Sequence, residues 1–254
     1  MCKKKCTFVR FFERMKANHY IHHINKDILQ FYPTAQFEGP VIIVDKPEQV
    51  HEAVLYLRKQ SIIGVDTESR PSFKHGERHP TALVQIATEE RCYLFRLTHI
   101  GMPEELVTIF ADPKIRKVGL AFKDDIIGLR RRHNFTPKNC IDLQKIVAQY
   151  GILDLGLQKI FGICFGKKIS KTQQLTNWEA PHLTAEQARY ASTDAWATLL
   201  VYKDLMATKP LSQEEVIALK TAEHEAQIQH MLAKQAERQE QDKTAGKEQK
   251  SVKK

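Results

Sequence analysis

Asp66 and Glu68 close the apolar run "IIGVDTE" at residues 62–68, and carboxylates at that spacing suit one kind of chemistry. Along a strand, residues two apart point to the same side, so both carboxylates face one way at the end where α/β sheets place ligands. Two such charges about 5 Å apart repel by roughly 3 kcal/mol at an effective dielectric near 20, and a divalent cation is the natural reason to hold them together. Oxygen ligands without a thiol favour Mg²⁺ or Mn²⁺. A D-x-E pair alone is expected about once by chance in a chain of this composition, so an acidic strand end that is only a solvated turn stands beside the metal reading.

Two further acidic positions follow. In "KVGLAFKDDIIGLRRR", residues 117–132, a short strand gives way to a helix with Asp124 and Asp125 near its start. Carboxylates there also serve as caps for exposed N–H groups and the helix dipole. Arg130, Arg131 and Arg132 read as phosphate contacts or as a solvated helix face. In "LTAEQARYASTDAWATLLVYKDL", residues 183–205, Ala188, Ala191, Ala195, Leu199 and Tyr202 mark the packed side of a helix. Tyr190 and Asp194, four apart, share a face. A phenol beside a carboxylate is commonly a buried tyrosine with a satisfied hydroxyl. Three acidic positions in order, on a strand end, a helix start and a late helix, make a two-metal cluster the sharper reading.

The elements that must hold these residues follow from periodicity. An apolar run at Val41–Val44 leads through Pro47 into a helix whose Val50, Val54, Leu55 and Leu57 share a face. "TALVQIAT" and "CYLFRL", joined by the polar turn "EER", predict an antiparallel hairpin. A helix near Pro103–Phe110, a strand at "KVGLA", a helix through Ile126, Ile127 and Leu129 and a strand near Cys140–Leu143 come next. Antiparallel strands first, then strands interleaved with helices, predict an α/β fold: a mixed sheet flanked by helices.

The charge of +9 is concentrated at the ends: +5 in residues 1–20 and +3 in residues 234–254, which leaves +1 for the body. A polyanion-binding surface in the body must therefore be a local patch. Residues 1–36 read as a basic N-terminal extension, 37–208 as the catalytic domain and 209–254 as a charged tail, helical or disordered, without the apolar residues for a core. Cys2, Cys6, Cys92, Cys140 and Cys164 form no C-x-x-C pair and read as reduced thiols, with Cys92 and Cys140 in the core. With no apolar run long enough for a membrane span and no signal-peptide core, a soluble cytoplasmic protein is expected.

"VDTE", "VGLAFKDDIIGL" and "YASTDA", supported by "ALVQIAT", "YLFRL" and "LTNWEAPHLTAEQARYA", resemble the three motifs of the DEDD superfamily of 3'-5' exonucleases. The branch is the tyrosine type that includes ribonuclease D and the Werner-type exonuclease domain, and the likeness runs from about Gly39 to Leu205. It implies a ribonuclease H-like sheet and a metal-dependent 3'-5' exonuclease. Asp66, Glu68, Asp125 and Asp194 would hold two Mg²⁺ or Mn²⁺ ions, with Asp125 rather than Asp124 as the ligand of the doublet. Tyr190 would orient the attacking water; the sister branch uses a histidine five positions before the last aspartate, where this chain has Arg189. The partner implied is a single-stranded nucleic-acid 3' end, the product a nucleoside 5'-monophosphate.

Strand contacts are expected from the loop at Ser69–His79, whose "SRPSF" reads as the lip of the channel, and from "FGKKISKTQQLTNW". Thr67, Lys168, Lys171 and Trp178 are the candidates, with Lys167 beside them and Phe122 as a wedge at the terminal base or a core residue. Trp178 stacks on a base or packs in the core. His75 and His79 read as surface histidines or phosphate contacts. DNA is the expected substrate, because the tail cannot build the appended helical domain of ribonuclease D. The alternatives are a ribonuclease D-like RNA-processing enzyme, a catalytically inactive nucleic-acid-binding module of the same fold, and a different metal phosphohydrolase.

Overall fold

The computed structural model describes residues 20–74 and 76–251, so Cys2, Cys6, His75 and most of the basic N-terminal extension lie outside the described residues. The chain divides into two compact units between Pro210 and Leu211.

In the first unit a six-stranded sheet runs in the order β1 (Val41–Val44), β4 (Cys92–Arg96), β3 (Thr81–Ala87), β2 (Ile62–Ser69), β5 (Arg116–Gly119), β6 (Cys140–Asp142). β3 is antiparallel to both of its neighbours, β4 and β2, whereas β1 joins β4, β5 joins β2 and β6 joins β5 in parallel. The predicted hairpin and mixed α/β sheet are both present. β2 is the pivot. β5 pairs only with Ile62–Gly64, so the carboxylate-bearing end of β2 is covered on the β3 side and open on the other. That opening between two parallel strand ends is where an α/β sheet accepts a ligand.

Among the described residues, eight α-helices accompany the sheet: α1 (Lys26–Leu29), α2 (Pro47–Leu57), α3 (Leu97–Ile100), α4 (Glu104–Ala111), α5 (Phe122–Arg132), α6 (Leu143–Ile146), α7 (Leu157–Phe165) and α8 (Ala185–Met206). On one face Ile63, Val65, Val84, Ile86 and Phe95 pack against α2, α4 and α5 through Val54, Leu57, Phe110 and Leu129. On the other face α8 crosses the centre of the sheet. Its N-terminus is fixed by a capping box in which Thr184 Oγ1 accepts from the Gln187 N–H at 3.1 Å and Gln187 Oε1 accepts from the Thr184 N–H at 3.0 Å.

Gly64 sets how closely α8 approaches. A Cβ there would stand 2.0 Å from the Ala195 carbonyl and 2.9 Å from Leu199 Cβ, so only glycine lets the helix lie on β2. This contact carries Asp194 to the carboxylates of β2, and it gives the glycine of "IIGV" a physical role.

The packed body begins before residue 37. Ile24 and Leu29 are buried against Ile160, Phe161 and Val201. The Ile24 N–H donates to Asp154 at 2.8 Å, and the Phe37 N–H donates to Thr193 Oγ1 at 3.0 Å. The boundary read at residue 36 therefore falls within the body, because the short apolar positions of residues 20–37 are too sparse to show a period yet fill gaps beside α7 and α8. Cys92 is buried as expected, whereas Cys140 is half-buried at the rim.

The second unit is one helix, α9 (Gln213–Ser251), the helical form of the expected tail. Its start is capped reciprocally by Ser212 and Glu215. No helix among the described residues is long and apolar enough to cross a membrane.

Candidate active site

Asp66 and Glu68 leave β2 on the side that faces α8, and Asp194 meets them from that helix. One carboxylate oxygen from each lies within 4.8 Å of the others. Asp125 approaches from the first turn of α5 and accepts a hydrogen bond from Thr67 Oγ1 at 2.5 Å. Asp124, its neighbour, is exposed. Of the doublet, Asp125 is thus the residue turned toward the cluster. The turn that delivers it is tight: Ala121 adopts a left-handed conformation with φ 54°, and Gly119 leaves room for the Phe122 ring, which a Cβ would meet at 2.7 Å.

Burial pushes all four carboxyls up from their ordinary range, and repulsion within the cluster adds to it at Asp66 and Glu68. Asp66 is raised well above it, first by loss of water and then by Asp125, Asp194 and Glu68. Glu68 rises to about 9 by burial and by Asp194 and Asp125. Asp125 and Asp194 each rise to about 7, mainly by burial; Thr67 opposes the shift at Asp125, and hydrogen bonding from Tyr190 and the charge of Lys171 oppose it at Asp194. Four acids that resist ionising together demand positive charge among them, and all-carboxylate oxygen donors fit hard divalent cations of the Mg²⁺ or Mn²⁺ class.

Tyr190 lies one turn before Asp194 and is hydrogen-bonded to it; burial, then the charges of Asp194 and Glu68, push the phenol's pKa far upward. The hydroxyl keeps its proton at neutral pH. Tyr190 and the three clustered acids open onto a cleft of about 300 Å³ whose far wall carries Lys171, Gln174, Gln158 and Gln144. Lys171 therefore lines the cleft.

Three other sequence candidates lie elsewhere. Trp178 is 0% exposed in the cluster with Phe37, Leu94 and Ala191, so it packs against the Tyr190 ring at 6.1 Å and cannot stack on a base. Phe122 is 2% exposed beneath its turn and is a core residue, not a wedge. Lys168 donates through Nζ to the Gln30 carbonyl at 2.5 Å and ties the N-terminal segment to the body instead of lining the cleft. Thr67 contributes by holding Asp125, and His79 lies between Glu77 and Glu179, at 3.7 and 3.9 Å.

The structure adds residues that sequence reasoning passed over. Gln85 is the cross-strand partner of Asp66, fully buried, with neither side-chain amide atom hydrogen-bonded. The buried Arg96 donates to the carbonyls of Pro181 and Ala180 and so anchors the loop that leads from Lys171 to α8. A polar residue in the middle of "LVQIA" and a lone arginine ending "YLFR" were the available signals.

Comparison with known proteins agrees with this geometry. The family model described as 3'-5' exonuclease matches residues 41–208. A 3'-5' exonuclease of Arabidopsis thaliana is 28% identical over 190 residues, 68% of this chain and 66% of that protein. The Mus musculus bifunctional 3'-5' exonuclease/ATP-dependent helicase WRN is 28% identical over 212 residues, 79% of this chain but 15% of that protein. The matched part thus spans less than two thirds of either relative. Among solved structures, the Aedes aegypti Nibbler EXO domain superposes with a TM-score of 0.62 at 23% identity, covering 73% of this chain and 99% of that one. Escherichia coli RNase D, an exoribonuclease involved in structured RNA processing, gives 0.60 at 24% identity over 65% and 44%. Trypanosoma brucei RNase D, solved in complex with RNA, gives 0.59 at 19% identity over 68% and 64%. These structures share the fold.

Proposed function

The chain belongs to the 3'-5' exonuclease family, and from that premise we propose that it removes nucleotides from the 3' end of a nucleic-acid strand by metal-dependent hydrolysis, releasing nucleoside 5'-monophosphates. The observation that carries this reading is the meeting of Asp66, Glu68 and Asp194 oxygens within 4.8 Å, with Asp125 turned in beside them. A silent binding module would have no reason to keep four carboxyls together at such electrostatic cost.

Bound at Asp66, Glu68, Asp125 and Asp194, two divalent cations would supply neutralisation of the phosphodiester, a more acidic water and stabilisation of the leaving oxygen. The chain's own residues set the geometry. Tyr190, which keeps its proton, orients the attacking water by hydrogen bonding and is unsuited to act as its base. Asp194, hydrogen-bonded to Tyr190, fixes where that hydroxyl points. Lys171 faces the non-bridging oxygens of the terminal phosphate across the cleft. Thr67 holds the Asp125 carboxylate in one orientation. Water attacks phosphorus in line, and the bond to the 3' oxygen of the preceding nucleotide breaks.

A 5'-labelled oligonucleotide tests the reading. Mg²⁺- or Mn²⁺-dependent shortening from the 3' end, lost in Asp66→Ala, is expected; cleavage of small phosphoesters without polarity on a polymer would replace it with a different phosphohydrolase. Running matched DNA and RNA strands in parallel assigns the sugar preference, for which DNA is our working expectation.

A further inference from the structure

On the face of β2 away from α8, an open groove of about 660 Å³ starts at Thr67 and Asp125 and extends along α5. Its acidic end, Asp124 and Asp125, adjoins the carboxylate cluster. The rest of its wall carries Arg70, Arg78 and His79 from the 69–80 loop and Arg131 and Arg132 from the last turn of α5.

Three of these side chains already have partners. Arg70 reaches Glu179 at 3.7 Å, His79 lies between Glu77 and Glu179, and Arg132 donates to the Leu97 carbonyl at 3.3 Å. Arg78 and Arg131 have no ion pair or hydrogen bond among the described residues, and both are exposed. Arginines at a helix C-terminus are accounted for by the helix dipole. That account does not explain why Arg78, 53 residues away in a separate loop, lines the same groove.

The spacing is informative. Asp125 and Arg131 are six residues apart on α5, about 9 Å along the axis at 1.5 Å per residue. A stacked strand carries one phosphate per 3.4 Å, so these guanidiniums lie about three phosphates from the carboxylates. Guanidinium groups suit phosphate oxygens.

We propose that this groove binds the backbone of the substrate strand about three nucleotides upstream of the scissile bond, with Arg78 and Arg131 as the phosphate-binding residues. The assignment rests on the exonuclease reading above and deepens it: the groove makes the protein prefer strands of about five nucleotides or more over dinucleotides.

The test is kcat/KM of the full chain on single-stranded oligonucleotides of two to eight nucleotides, wild type against Arg78→Ala/Arg131→Ala. Wild type is expected to gain at least about 10-fold between three and five nucleotides, and the double variant to lose that gain while turning over the dinucleotide within about twofold of wild type. In binding of a labelled octanucleotide under chelation, the slope of log affinity against log salt should fall by about 1.4, two contacts at about 0.7 each for single strands. A length gain that persists in the variant overturns the proposal. So does an equal loss on the dinucleotide, which would indicate a general disturbance, and so does a loss confined to recessed duplexes, which would give the groove to a second strand. If wild type shortens no oligonucleotide, the exonuclease reading fails; the salt slope still tests the groove, and an unchanged slope then overturns it.

Discussion

The end of β2 separates two regions of opposite electrostatic design. Toward α8, Asp66, Glu68 and Asp194 are crowded and largely withdrawn from water; toward α5, Arg78 and Arg131 are spread along an open groove. Clustered buried charges of one sign raise the free energy of the fold and need a counter-charge of defined size and position. Separated, solvated charges cost little and attract any polyanion, with a strength set by salt. The contrast teaches that the two regions fail in different ways. A change in the cleft should alter activity and metal-linked stability together, whereas a change in the groove should alter only the response to strand length and salt.

Asp66→Asn should give the largest effect: a loss of at least about 10³-fold in kcat, as expected when a group aimed at the reacting phosphate is removed. Its sharper signature is in stability. Wild type should gain about 2.7 kcal/mol from Mn²⁺ at 100 times its Kd. The variant should gain much less, yet be more stable than wild type in chelator, because one repelling carboxylate is gone. Thermal melts with and without metal check both signs, and a variant less stable than wild type under chelation would contradict the repulsion. Gly64→Ala should come next, at about 3 kcal/mol of destabilisation, since its Cβ would collide with the Ala195 carbonyl and drive α8 from β2. Activity should fall with it while the salt slope on oligonucleotides stays the same. Tyr190→Phe should lower kcat about 10²-fold and keep the metal-induced rise in Tm, separating orientation of water from metal holding.

The raised carboxyls also give the metal-free protein a pH dependence of known sign. A carboxyl whose folded pKa lies above its unfolded value binds more protons folded than unfolded between the two. Its contribution is most favourable below the unfolded pKa and is lost as pH rises toward the folded one. For Asp125 and Asp194 that window runs from near 4 to about 7, and for Glu68 it continues to about 9. In chelator, the wild-type deficit relative to Asp66→Asn should therefore widen as pH rises from the ordinary carboxylate range toward the raised pKa of Asp66, and saturating Mn²⁺ should remove it. A difference that stays flat with pH would place the repulsion elsewhere.

The fold was largely legible because the alternation of β3 and β4 and the interleaved helices after β4 are local patterns. The acidic positions were legible for a different reason: their immediate settings, a strand end, a helix start and a helix turn, are also local. Gly64 was visible, but its role needed the position of α8, 131 residues later at Ala195. The groove was only half legible: the 69–79 loop and Arg130–Arg132 each offered strand or phosphate contacts, but the two segments share no pattern that would put Arg78 and Arg131 on one wall. Gln85 was hidden for the opposite reason, one polar residue inside a strand that otherwise reads as core.

Trp178 shows where local reading misleads, and it offers the smallest effect. A tryptophan among lysines and glutamines resembles a stacking platform, yet this one is 0% exposed, with its indole N–H unpaired and its ring against Tyr190. Two terms oppose each other in Trp178→Phe. Loss of ring volume leaves a cavity, while removal of a buried, unsatisfied donor relieves a cost of about 1–3 kcal/mol. The net change in stability should be within about 1 kcal/mol, and KM for an oligonucleotide should stay within about twofold. Because Trp178 supports the Tyr190 ring, whatever change occurs should be in kcat. A 10-fold rise in KM at unchanged Tm would mean that the indole does meet a base, and that the loop from Lys171 to Pro181 opens far enough to release it.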